Sequence, residues 1–182
     1  MIEYEKLAIN LMRNCREGVL STVSKKYEGY PFGSFVTFIS GADRCIIFYA
    51  SDIAQHTINL KSNSKACITL LNLSEGDKQD SARLSLMGDV KKIDKDVEEI
   101  SRQFIEFFPE SSQYSKMHDF NFYSLNISQV RWIGGFGKIA WLSSTNWNCL
   151  LYTSRAHETV LYIVCRLLIE KKKGGGGGGG GG

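Results

Sequence analysis

The sequence has only two prolines, Pro31 and Pro109, in 182 residues. With 12% aromatic and 43% hydrophobic residues, it has the apolar content to bury a core, which excludes a disordered chain. Histidine is almost as scarce. Before residue 149 there are only His56 and His118, and neither belongs to a cluster spaced for metal ligation, so no metal is expected. Cysteine is sparse too. Cys15, Cys45 and Cys67 are far apart, odd in number and set among apolar neighbours. This excludes a disulfide framework and reads as reduced, buried thiols in a cytosol. Basic charge is not concentrated: the net charge is +3 and the one basic block is Lys171–Lys173. Charge therefore gives no reason to expect nucleic acid. The apolar stretch "ETVLYIVCRLLIE" is too short, and too interrupted by Arg166, to span a bilayer. The opening "MIEYEKLAINLMRNCREG" is amphipathic, unlike a secretory signal. The expectation is a cytoplasmic protein with no membrane partner. There is no nucleophile elbow, and "GGFG" (Gly134 to Gly137) is too short for a dinucleotide fingerprint and reads as a tight bend. No catalytic residue is nominated.

What the sequence does have is a succession of short alternating strands. Glu3 to Cys15 reads as a helix with Leu7, Leu11 and Met12 on one side. Val19 to Ser24 alternates apolar and hydroxyl residues, and Phe32 to Ser40 is apolar on both faces, so it reads as a central strand. "RCIIFYA", "KACITLLNL" and "SARLSLMGDVKKI" read as three more, the last interrupted at Gly88. "DKDVEEISRQFIEFFPE" reads as a helix capped by Asp94 or Asp96, with Val97, Ile100, Phe104, Ile105 and Phe108 as its apolar stripe. "FNFYSLNISQVRWIGGFGKIAWLS" reads as one or two long strands bent at Gly134 and Gly135. Many strands with few helices predict a mainly β fold: an antiparallel sheet closed into a barrel, with peripheral helices.

The stretch "SDIAQHTINL" is the candidate site. Ser51 follows a strand where a helix begins, and a helix N-terminus offers free N–H groups and partial positive charge to an anion. Gln55, His56 and Thr57 lie one turn on. The same residues also fit an ordinary capped surface helix with a solvated histidine.

Four ordered motifs resolve more than any one of them: "YPFGSFVTF", "YASDIAQHTINLKSNSKACITL", "ARLSLMGDV" and "DFNFYSLNISQVRWIGGFGKIAWL". Together they resemble the HugZ-like haem-utilisation branch of the pyridoxamine 5′-phosphate oxidase-related FMN-binding split barrels, over most of Val19 to Leu142. The resemblance implies a six-stranded antiparallel split β-barrel, a homodimer, and FMN between the subunits, with haem as a substrate or ligand. It places Ser51, Gln55, His56 and Thr57 at the FMN phosphate, although the oxidases carry an Arg-Lys pair where Gln55 and His56 stand. It places Arg83 beside the flavin, as the cation that pair would have supplied. It lays the flavin ring along Ser34, Val36 and Thr37. The implied function is an FMN-dependent oxidoreductase of haem utilisation. The alternatives are a non-enzymatic haem- or ligand-binding module on the same barrel, and a pyridoxamine 5′-phosphate oxidase-like enzyme, disfavoured by the missing Arg-Lys pair.

The end of the chain is of a different character. "CLLYTS", "RAHET" and "VCRLLIEKKKG" resemble a translated transposon-end adapter used in short-read DNA sequencing, and the chain ends in nine consecutive glycines. Such a glycine block stays a flexible coil. The expected organisation is a barrel domain over 1–148 and a non-native or disordered tail over 149–182. Deleting Cys149 to Gly182 is expected to leave the melting temperature and FMN affinity unchanged. A marked fall in melting temperature in differential scanning calorimetry would show that the tail is part of the fold.

Overall fold

Alternation of inward and outward side chains along the strands sets the architecture. The computed structural model describes residues 2–41, 44–72, 81–135, 137–142 and 147. All fall within one unit, Met1–Trp147; the tail from residue 148 lies outside the described residues. Strand β1 (Glu17–Val23) turns Leu20 and Thr22 inward and lies between β2 (Pro31–Ser40) and β4 (Lys65–Leu71), antiparallel to both. β4 pairs with β5 (Arg83–Lys92), and β5 with the 14-residue β6 (Phe120–Ile133). β3 (Ile46–Ser51) then closes the ring. It meets β2 only at Phe38–Ser40, but pairs with β6 along its whole length, from Ile46 opposite Leu125 to Ser51 opposite Phe120.

The result is the expected six-stranded antiparallel barrel, in the order β3-β2-β1-β4-β5-β6 and back to β3, with one strand more. The long C-terminal motif is two strands. After β6, a turn in which the Gly134 N–H donates to the Lys138 carbonyl (2.8 Å) leads into β7 (Ile139–Leu142), which among the described residues pairs with β6 alone. Gly135 (φ 102°) and Gly137 (φ 79°) hold left-handed backbone in that turn, which is why glycine occupies both positions. The barrel interior is filled by residues such as Leu20, Phe38, Phe48, Ile68, Leu86 and Leu125, each 0% exposed.

Among the described residues three α-helices pack on this barrel. In α1 (Ile2–Asn14), Leu11 and Met12 are buried as expected, but Leu7 is exposed and Ala8 and Ile9 are buried instead. The helix is thus rolled by about one residue from the stripe its leucines suggest. Helix α2 (Gln55–Ser62) sits at the barrel end where β3 finishes. Helix α3 (Val97–Phe107) covers the outside of β2, β3 and β6, where Ile39, Ile47, Phe104, Phe108 and Phe122 form a second core. Phe104 and Phe108 of the expected stripe are buried, while Val97 is exposed. Asp96 stands at the α3 N-cap without a side-chain cap bond. Its backbone is left-handed (φ 55°), not the extended conformation that aims a capping oxygen at the first turn.

The interruption read at Gly88 is a β-bulge: the β5–β6 register shifts between Met87 and Gly88. A Cβ at Gly88 would lie 1.9 Å from the Asn126 carbonyl oxygen, so two backbones touch where a side chain would have to stand. Gly88→Ala is expected to cost about 3 kcal/mol or more in urea unfolding, because backbone, and not a rotatable side chain, must yield. A loss under about 1 kcal/mol would mean that the bulge relaxes freely.

Candidate functional site

β2 and β3 part company after three residue pairs, and this split makes the site. Pro31 to Thr37 pair with β1 on one side, while β3, which pairs with Phe38–Ser40, has left them on the other. One edge of β2 along Ser34, Val36 and Thr37 is therefore free of strand pairing, with backbone donors and acceptors available to a ligand. Of these three, Val36 shares the inward face with Phe38, as does Ser34 two residues earlier; Thr37 alternates to the outer face with the exposed Phe35.

α2 starts at the same end, directly after β3. Ser51, the last residue of β3, was expected to cap it. The helix instead begins later, with Ala54 in extended conformation at the N-cap and no side-chain cap bond. The Ser51 hydroxyl accepts from the Ile53 N–H (3.2 Å) and donates to Asp119 (2.5 Å), which ties the loop to the start of β6. The Asp52 N–H donates to the Asp119 carbonyl (2.7 Å). Asp52 in turn accepts from the Tyr123 hydroxyl (2.8 Å) and pairs with Lys61 (3.2 Å). The Tyr123 hydrogen bond holds the Asp52 carboxyl below its usual range, and burial first, then Asp52, raises the Tyr123 phenol. These contacts fix where α2 begins and leave the N–H groups of its first turn uncapped by any side chain.

Two polar atoms in that first turn are buried without a hydrogen-bond partner: Nε2 of His56 and Oγ1 of Thr57. Thr57 is 0% exposed. Burial lowers the His56 imidazole pKa and keeps the ring neutral near pH 7. Orphaned buried polar atoms are rare and costly, and two adjacent ones beside uncapped helix amides fit an anion. The FMN phosphate implied by resemblance suits this donor set in kind, though it brings no permanent cation.

Gln55 points elsewhere. Its Nε2 donates to Asn59 Oδ1 (2.9 Å), which also accepts from the Lys25 N–H (3.0 Å), while Asn59 Nδ2 donates to Thr22 Oγ1 (3.0 Å). Asn59, 0% exposed, is thus the plug that seats α2 on the barrel end. Sequence reasoning missed it, because its partners lie 34 and 37 residues away. Arg83 is not with the others in the chain. It opens β5 opposite Leu71 and Ile133, whereas α2 packs where β1 ends and β4 begins, so the length of the barrel separates them.

Wider clefts lie outside this slot. A cleft of about 920 Å³ runs between α3 and the aromatic outer face of β3 and β6, and a groove of about 360 Å³ crosses β1, β4 and β5 around Cys67 and Met87. Neither contains His56 or Thr57, and the orphaned donors, not the volumes, mark the site. Among the described residues no cluster of His, Cys, Asp or Glu could hold a metal ion, and no helix is long and apolar enough to cross a membrane. Among the described residues Cys15, Cys45 and Cys67 form no disulfide.

The fold has counterparts. The family model described as CREG, beta-barrel matches residues 2–148. The chain is 34% identical over 119 residues to the chloroplastic heme oxygenase HOZ of Arabidopsis thaliana, a match covering 65% of this chain and 36% of that protein. In fold it is similar to a heme binding protein from Mycobacterium smegmatis, with a TM-score of 0.73 and 24% identity over 80% of this chain and 60% of that one. Campylobacter jejuni ChuZ is similar at a TM-score of 0.70 and 21% identity, over 80% of this chain and 61% of the other. The chain therefore spans less than two thirds of the length of each of these relatives. Motif order, closed barrel and family match agree that this chain is a HugZ-like split β-barrel and belongs to the CREG β-barrel family.

Proposed function

We propose that this protein is an FMN-binding flavoprotein of haem utilisation, cytoplasmic and active as a homodimer. The observation that carries the reading is the pair of orphaned, buried polar atoms in the first turn of α2, His56 Nε2 and Thr57 Oγ1, in a helix that packs on β1 and β2. Both would be satisfied by one phosphate, and the uncapped amides of the turn add to its hold. Ser51 acts as a positioning residue, because its proton is committed to Asp119. Gln55 orients the Asn59 plug. The edge of β2 along Ser34, Val36 and Thr37 receives the ring. When bound, the flavin supplies electron transfer; the chain holds the phosphate, orients the ring and excludes water. Haem is the proposed substrate or ligand, in keeping with what HOZ and the mycobacterial protein are named for. A second copy supplies the other wall of the slot. Supporting this, Phe35 (66% exposed), Val19 (41%) and Leu71 (46%) leave apolar surface uncovered on adjacent strands.

A purified protein with flavin absorbance, and a haem spectrum on titration with haem, is the direct test. A colourless protein indifferent to both would overturn the proposal. Two substitutions probe the phosphate. Thr57→Val keeps the shape and removes an unpaired hydroxyl, so the ligand-free protein should melt at the same temperature or higher. FMN affinity should nonetheless fall by up to about tenfold, since a neutral hydrogen bond contributes about 0.5–1.5 kcal/mol, and riboflavin binding should not change.

His56 adds a pH dependence. Its neutral ring takes up a proton when an anion arrives, so FMN affinity should rise as pH falls from about 8 to about 6.5, and His56→Gln should flatten that slope. In the ligand-free protein the lowered pKa acts against stability at acid pH. Stability contributed by the neutral ring is present above about 6.5 and declines below it, where the unfolded chain takes up a proton first. Equal slopes in wild type and variant would remove His56 from the site. Sedimentation equilibrium should give a dimer, and a monomer that binds FMN tightly at all concentrations would refute the two-subunit slot.

A further inference from the structure

The first turn of α2 offers amides, a hydroxyl and a neutral imidazole to an anion, but no permanent positive charge of its own. A phosphate monoester carries a charge of about −1.5 to −2 at neutral pH, so a cation is wanted beside it. Arg83 is not there, since it opens β5 away from α2. Lys61, in the last turn of α2, is paired with Asp52 (3.2 Å), and Lys92 acts on the same carboxylate. Lys65 is paired with Asp89 (3.7 Å). The turn between β1 and β2 is different. The Ser24 N–H donates to the Tyr30 carbonyl (3.0 Å), the Tyr27 N–H donates to the Ser24 hydroxyl (2.9 Å), and Gly29 takes the left-handed backbone (φ 80°) that closes the turn. From this ordered turn the Lys25 N–H donates to Asn59 Oδ1 (3.0 Å), the atom that also accepts from Gln55 Nε2 (2.9 Å). Gln55 is the first residue of α2, so one shared acceptor ties the backbone of Lys25 to the first turn of the helix. The Lys25 side chain is exposed, and among the described residues no carboxylate lies within 4 Å of its ammonium. Its neighbour Lys26 is turned to Tyr27, with Nζ 5.2 Å from the ring centroid, and Glu28 is the one acidic residue of the turn.

We propose that Lys25, brought across from the β1–β2 turn, supplies the fixed positive charge of the phosphate site at α2 and so sets its preference for a phosphorylated over an unphosphorylated flavin. The assignment rests on the FMN reading above and names the residue that gives that site its specificity. The work divides between two kinds of group. The buried atoms of His56 and Thr57 and the helix amides fix where the phosphate sits, because their positions are set by the fold. The ammonium of Lys25 adds charge, and as a compact point charge on a flexible four-carbon stem it needs no exact geometry to do so. Because the backbone of Lys25 is already held by Asn59, only the side chain has to be ordered when the anion binds. An exposed ammonium acts through water and counterions, so its contribution should be moderate and should fade as salt is added.

The test uses the full chain, with FMN and riboflavin titrated by flavin fluorescence at about 0.05 M and about 0.5 M salt. Lys25→Gln keeps the backbone bond to Asn59, so its melting temperature should match the wild type. It should weaken FMN by about three- to tenfold at low salt and leave riboflavin unchanged. Its FMN affinity should also depend less on salt than that of the wild type, which a merely structural role for Lys25 would not produce. Lys25→Arg should keep most of the affinity, because the charge is retained. Lys26→Gln should change FMN binding by less than about twofold, since that side chain lies against Tyr27. If the wild type prefers FMN to riboflavin but Lys25→Gln changes neither the affinity nor the salt slope, the phosphate reading stands and the assignment to Lys25 falls. A loss in Lys26→Gln equal to that in Lys25→Gln also overturns the assignment, because it would show the general charge of the turn at work. If the wild type binds neither flavin, or both equally, the phosphate reading fails and this assignment fails with it.

Discussion

The pairing of β3 with β6 is the constraint from which the rest of the structure follows. β3 meets β2 over three residues and β6 over six. Its backbone is satisfied mainly by a strand that arrives some 70 residues later in sequence. This closes the barrel and, in the same act, pulls β3 away from β2. The slot along Pro31 to Thr37 is the consequence: a free backbone edge is left where the ring of strands would otherwise be sealed. Because Ser51 ends opposite Phe120, its hydroxyl meets Asp119, and α2 must begin beside the slot.

The polar groups at that end divide into two kinds. Asn59, Thr22, Gln55 and the Lys25 amide satisfy one another, as do Asp52, Tyr123 and Lys61. They hold α2 rigidly against the barrel. His56 Nε2 and Thr57 Oγ1 are left out of both networks, although they are buried. Two buried polar atoms without partners in one helical turn are unusual, because most buried polar groups are hydrogen-bonded. The lowered pKa of His56 has the same origin, since desolvation without a partner disfavours the charged ring.

The arginines of β5 and β6 stand away from α2: Arg83 and Arg131 lie at the other end of the barrel, with Trp141 beside Arg131.

The sequence by itself determined most of the elements. Alternation of side chains located β1, β2, β4 and β5, the interruption at Gly88 located the bulge, and the glycines at 134, 135 and 137 located the turn before β7, because these signals are local. The order of four motifs was enough to indicate the six-stranded barrel. Local signals were weaker where packing chooses among equals: α1 buries Ala8 and Ile9 in place of Leu7, and Ser51 and Asp96 do not cap their helices. Only the tertiary structure decided where the candidate residues stand. α2 begins where it does because β3 leaves β2 for β6, and Arg83 is carried away from α2 because β5 runs the length of the barrel. Both depend on strand register between segments far apart in the chain, which no window of sequence contains.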